Sequence, residues 1–236
     1  MKRLLLFFLL LLSCGGTETE HRTAVEHGRD LFASKSTSNS QLNAFSCATC
    51  HFADVQDARI LPGHPLGGAV DRPTFWGGER RDLLEAINDC RYLFMNATNP
   101  WTADDPDAQA MYAYLSSLPK TQPTALPLTV VPIAADLPPG DESRGALVYD
   151  RSCRSCHGAA HTADGRLRQG ITLLPEEEAD SLTKLFGFTR DQVRVTFIEK
   201  ARHGAFLGVY GNMPLYSTEA MSDADLAAVM AYLGLY

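Results

Sequence analysis

Two pentapeptides of one pattern, Cys47-Ala48-Thr49-Cys50-His51 and Cys153-Arg154-Ser155-Cys156-His157, constrain this chain more than any other feature. A zinc site needs its two cysteine pairs at short separation, whereas Cys50 and Cys153 lie 103 positions apart. A thioredoxin-like redox pair needs a βαβ setting, and strand-like alternation is scarce here. Two disulfides would suit an oxidising compartment but leave a histidine after each pair unexplained. The chemistry that uses all three residues is covalent haem. Cysteines three apart on one helical turn can add across the two vinyl groups of a porphyrin, and the next residue then points its imidazole at the iron. The spacing assigns Cys47, Cys50, Cys153 and Cys156 to thioethers, and His51 and His157 to two irons.

The chain around these motifs repeats itself. Residues 119–140 hold six of the thirteen prolines and read as an extended linker, because proline cannot donate a backbone hydrogen bond within a helix or central strand. The linker separates a first domain at 24–118 from a second at 141–236, each of ordinary small-domain size. Each opens with a short helical pattern containing glycine, at His27 to Phe32 and Arg144 to Tyr149. Each closes on an amphipathic stripe: Met111, Tyr114, Leu115 and Leu118 in 106–118, and Leu226, Val229, Met230 and Leu233 in 223–233. Asp105 before Pro106 and Ser222-x-x-Asp225 mark their starts. Further helices are expected at 80–90 and at 189–203, the latter opening on Thr189-x-x-Gln192 and stopping at Gly204. Glu176-Glu177-Glu178 reads as a solvated turn. Long Gly and Pro loops at 61–79 and 204–216 are unusual unless they cover something. The expected fold is all-α.

Iron held by one histidine has a second face, whose ligand decides between electron passage and chemistry. In the second half the candidate is Met213, fifty-six residues beyond His157, in the loop Gly211-Asn212-Met213-Pro214. A Gly- and Pro-bounded loop is a poor place for core packing, so a thioether ligand is the better reading of this methionine. In the first half three candidates stand: His64, Cys90 and Met95. Leu83, Ile87, Cys90 and Phe94 share one helical stripe, so Cys90 also has a plain reading as core. His161, Arg202 and His203 lie near the second motif in sequence and could bond propionates, although solvent exposure is the commoner fate of such residues.

Both Cys-x-x-Cys-His motifs, the Asn-Met-Pro loop and the closing Ala113-Tyr114-Leu115 and Ala231-Tyr232-Leu233 helices resemble the cytochrome c family, as a fusion of two class I-like domains. The resemblance covers about residues 24–118 and 141–234. It implies two covalently bound haem c groups, each wrapped by a few helices with one edge exposed, and an electron carrier. It also places Met95, forty-four residues after His51, near the position of a cytochrome c methionine, with Cys90 as the alternative. Ile87-Asn88-Asp89-Cys90 with Met95 and Asn96 is similar to the segment of thiosulfate dehydrogenases and related sulfur-oxidising cytochromes that supplies a cysteine ligand. That likeness implies oxidation of a small sulfur anion at the first haem. Gly28 to Phe32, Ser46 to His51 and Asp71 to Gly78 resemble parts of the first domain of MauG-type dihaem peroxidases, where His64 would be a displaceable ligand. The chain lacks room for the long insertions of those enzymes, and electron carriage is the preferred reading over catalysis.

Met1-Lys2-Arg3 followed by nine apolar residues, Leu4 to Leu12, is too short to span a bilayer and fits a secretory signal. The sequence Leu11-Leu12-Ser13-Cys14 resembles a bacterial lipoprotein signal, with residues 1–13 removed, Cys14 carrying lipid and 14–23 as tether. This predicts an exported lipoprotein on the periplasmic side of the inner or outer membrane, held by acyl chains without spanning. A formal charge of −7 with no block of five like charges argues against a nucleic-acid grip and suits basic redox partner proteins.

Overall fold

The computed structural model describes residues 22–54, 57–120, 126–130, 136–205 and 211–235. Cys14 and His21 lie outside them. The described residues contain nine α-helices and no strand. The first half has α1 (Ala24–Ala33), α2 (Cys47–Cys50), α3 (Leu83–Leu93) and α4 (Pro106–Ser117). The second has α5 (Glu142–Ser152), α6 (Arg154–His157), α7 (Glu176–Phe186), α8 (Arg190–His203) and α9 (Asp223–Tyr232). The fold is all-α, as expected. An antiparallel bridge between Phe75 and Arg80 is an isolated exception.

Local chemistry sets most helix starts. Thr189 and Gln192 cap α8 reciprocally, and Ser222 accepts the amide of Asp225 at 3.1 Å to open α9, satisfying donors that a helix start leaves bare. The helix expected at 80–90 begins later, because Asp82 accepts the amide of Glu85 at 2.9 Å and thereby becomes the N-cap of α3. Glu176-Glu177-Glu178 corrects the expectation of a turn. These residues form the first turn of α7, where three carboxylates face the positive end of the helix dipole while Leu182 is buried.

The two halves share one helix crossing. α1 lies along α4 and α5 along α9. At the contact stand Gly28 and Gly145. A Cβ on Gly28 would come within 2.0 Å of Ala110 O and 2.6 Å of Tyr114 Cβ; one on Gly145 would come within 1.9 Å of Ala228 O and 2.7 Å of Tyr232 Cβ. Beside each glycine an aromatic pair recurs, Phe32 with Tyr114 at 5.5 Å between centroids and Tyr149 with Tyr232 at 5.6 Å. The repeated glycine therefore has a steric origin: it lets two backbones approach as closely as the aromatic pair requires.

The proline-rich linker does more than connect. Its described piece 126–130 lies against both halves: Pro127 O is 2.8 Å from His64 Nε2, and Thr129 O accepts the amide of Thr218 at 3.3 Å. Thr129 also donates its amide to Glu219 at 2.9 Å and its hydroxyl to the same carboxylate. Partial burial opposes ionisation of Glu219, yet the bonds from Thr129, its own amide and Ser217 outweigh it and hold the carboxyl down to about 2. A depressed carboxyl pKa stabilises the fold above its ordinary value and loses that effect as pH falls through the folded one. The protection of amides 126–130 against hydrogen exchange, relative to the intrinsic rate at each pH, should therefore hold at pH 5 and fall between pH 4 and 2, and Glu219→Gln should remove that pH dependence.

Two candidate haem sites

Each Cys-x-x-Cys-His sequence forms one short helical turn. In the first, Ser46 and Thr49 cap α2 and the amide of His51 donates to Cys47 O at 2.8 Å. In the second, the amide of His157 donates to Cys153 O at 2.9 Å, and Gly158 at φ +75° ends the turn. The five described cysteines are free thiols, the form that thioether formation consumes. Burial pushes Cys47 and Cys153 up to about 11 and raises Cys50 and Cys156 as well, so all four remain protonated in neutral solution.

Both histidines are oriented in the same way. His51 Nδ1 lies 2.7 Å from His64 O and His157 Nδ1 lies 2.9 Å from Thr172 O. A carbonyl only accepts, so each Nδ1 carries the proton and each Nε2 is left with its lone pair, the arrangement that suits metal ligation. Burial lowers the pKa of both rings and keeps them neutral, with these carbonyl bonds opposing the shift. Gly63 makes room for the first imidazole: a Cβ there would stand 2.2–2.7 Å from three His51 ring atoms. The Gly63 amide also donates to Cys50 O at 2.9 Å, fastening the 62–64 loop to the attachment turn.

Cys47, Cys50 and His51 open into an apolar cleft that also takes in Cys90, Phe94 and Met95. Its empty volume is about 1410 Å³ including the open mouth. Donor set, glycine cradle and apolar lining fit covalent haem. The whole stripe Leu83, Ile87, Cys90, Phe94 lines this cleft, as do many residues of the long loop 61–79 and Leu126 and Leu128 of the linker. Burial pushes the Cys90 thiol up to about 12. Met95 is 4% exposed and its carbonyl accepts from Ser38 Oγ at 2.7 Å. The structure thus brings Cys90 and Met95 to one cleft. His64 lines the same cleft, where its carbonyl serves the His51 ring and its own ring bonds the linker.

In the second half, Met213 and Cys153 both pack against the core built by α5, α8 and α9. Met213 O accepts the amide of Ala205 at 2.8 Å, and the Tyr216 hydroxyl donates to Ser152 O at 3.0 Å, next to the attachment turn. Residues 206–210 of the loop lie outside the described ones. Arg202 and His203 are buried, against the expectation of exposure. Arg202 Nη1 donates to Tyr216 O, Ser217 O and Met221 O at 3.1, 3.3 and 2.7 Å, while Nη2 pairs with Asp223 at 2.6 Å. Its bonds run to the chain following the Met213 loop. His161 is exposed and pairs with Glu176 at 2.6 Å.

Three positioning residues escaped the sequence reading. Asn88 clamps Trp101 from both sides, donating to its carbonyl and accepting its amide at 2.8 Å each. Buried Arg91 donates to Thr37 O at 2.9 Å and Asn99 O at 3.0 Å and stacks over Trp101. These contacts fix α3, and with it Cys90 and Met95. Gly63 is the third; the Pro-Gly-His sequence was its only signal.

Residues 140–233 match the protein-family model described as cytochrome C oxidase, cbb3-type, subunit III. That match covers the second half of the chain, from its first helix to its last. No curated protein matches the chain. Among solved structures, the chain is similar to a thiosulfate dehydrogenase from Marichromatium purpuratum in its as-isolated form, at 20% identity and a TM-score of 0.44, over 89% of this chain and 45% of that one. The chain therefore spans less than half the length of that protein.

Proposed function

We propose, starting from the family match at 140–233, that the whole chain is a dihaem c-type cytochrome that passes electrons between redox partner proteins. One observation carries this: each half presents a Cys-x-x-Cys-His turn whose histidine is neutral, fixed through Nδ1 and open at Nε2. Bound haem supplies one-electron exchange between ferric and ferrous iron. The protein's share is positional. Cys47, Cys50, Cys153 and Cys156 anchor the two groups, and His51 and His157 each ligate an iron. Apolar walls keep water from one side. Met213 would be the second ligand of the second iron, and Met95, with Cys90 as the alternative, that of the first. The signal sequence and Cys14 support an exported lipoprotein on the periplasmic side; no described helix is long and apolar enough to cross a membrane. An acidic chain suits a basic partner.

A potentiometric titration tests this reading. Two one-electron waves are expected, and Met213→His should lower one midpoint while leaving the other in place, because a thioether favours ferrous iron more than an imidazole does. A single wave, or two waves indifferent to Met213, would contradict it.

The Cys90 thiol in the first cleft supports a second reading, oxidation of a small sulfur anion such as thiosulfate there, with the second haem as electron exit. Thiolate ligation in the spectrum of the oxidised protein, lost in Cys90→Ala, would establish it; spectra unchanged by that substitution would end it. The peroxidase reading needs a mobile His64 facing the iron, and the His64 contacts offer no support for it.

A further inference from the structure

The loop that carries Met213 reaches out of its own half. Asn212 spends both hydrogens of its amide on the first half, Nδ2 donating to Leu93 O and to Asn96 Oδ1 at 3.0 Å each. Leu93 ends α3, so its carbonyl is one of those a helix C-terminus leaves without an internal partner. Asn96 stands at φ +53°, a left-handed conformation asparagine tolerates better than most residues. It lies in a reversal closed by the Ala97 amide donating to Arg91 O at 2.9 Å. Met95 sits between the two acceptors and lines the first cleft. Two and three residues beyond Asn212, Pro214 and Leu215 line that cleft as well.

We infer that residues 212–215 form a distal loop shared by both haem sites: Met213 serves the second, while Asn212, Pro214 and Leu215 complete the first. Asn212 is a positioning residue. It caps α3 from the other half of the chain and fixes the reversal that turns Met95 into the cleft. The first half has its own hold on this segment in the bond from Ser38 to Met95 O, so losing Asn212 loosens the segment without releasing it.

This inference rests on the two-haem reading, and the test separates the two. The haem-loaded protein is compared with Asn212→Ala, Asn96→Gly and the double variant; glycine removes the Oδ1 acceptor without straining the left-handed backbone. Potentiometric waves are assigned with Met213→His, and hydrogen exchange is followed at 91–97. Asn212→Ala should shift the first-haem midpoint and raise exchange at 91–97 severalfold, although the substitution lies in the second half. Asn96→Gly should shift the same midpoint, and the double variant should shift it by no more than the larger single effect, as one shared interaction requires. A first-haem midpoint and exchange unmoved by Asn212→Ala, or single effects that add, overturns the inference. Should Asn212→Ala fail to accumulate, Asn96→Gly reads the same contact from the opposite side. A wild-type protein with fewer than two haems refutes the earlier reading instead.

Discussion

Gly145→Ala should markedly lower the stability of the second half, and Gly28→Ala that of the first. The new methyl would sit 1.9 Å from Ala228 O or 2.0 Å from Ala110 O, in each case against backbone of the facing helix, which has no side-chain rotation to offer. The helices must separate, opening the aromatic pair beside the crossing. Overpacking of this kind costs about 1–3 kcal/mol and more when backbone must move. The gain in helix propensity from glycine to alanine returns only about 1 kcal/mol. Against a total stability of about 5–15 kcal/mol, Gly145→Val should abolish folding of its half. Calorimetry of the haem-loaded protein reads this directly. Gly170→Ala, where an added Cβ meets only the Arg168 side chain at 4.0 Å, should leave the melting temperature nearly unchanged.

Arg202→Leu should rank beside it. The guanidinium is 1% exposed and ties three carbonyls of 216–221 to α8, with Asp223 as its counter-charge. Leucine fills the space but takes the donor from Tyr216 O and Met221 O, while Ser217 O keeps the amides of Ala220 and Met221, and an uncompensated break in such a network costs about 3–5 kcal/mol. Lysine should not rescue it, since one ammonium cannot span the same fan of acceptors. Asp223 is 54% exposed and hydrates when unpaired, so Asp223→Asn should cost about 1 kcal/mol. Denaturant unfolding of the three variants gives this order. A mild effect of Arg202→Leu would show that the chain after Met213 is held by other means.

Features set by neighbours in sequence were the legible ones. The helix starts at Thr189 and Ser222 follow from side chains three residues apart, and the closing stripes from a 3.6-residue period. The duplicated glycine was visible as a repeat, but its reason was not, because the crossing brings together residues more than eighty positions apart. Arg202 defeated the reading for the same cause: charged side chains are usually solvated, and only the folded path of 216–223 supplies its partners. The three glutamates of α7 look solvated in any context, and their placement at a helix start shows only with Leu182 buried behind them. At the first iron the sequence offered His64, Cys90 and Met95. All three line one cleft: the His64 carbonyl serves the His51 ring and its own ring bonds the linker, while α3 and the turn after it carry Cys90 and Met95.

Intact-mass analysis of protein made in a host able to attach haem, followed by peptide mapping, bears most directly on the two-haem account. It predicts two haem adducts per chain, one on the peptide with Cys47 and Cys50 and one on the peptide with Cys153 and Cys156. A chain carrying haem at the second motif alone, or none at either, would contradict it.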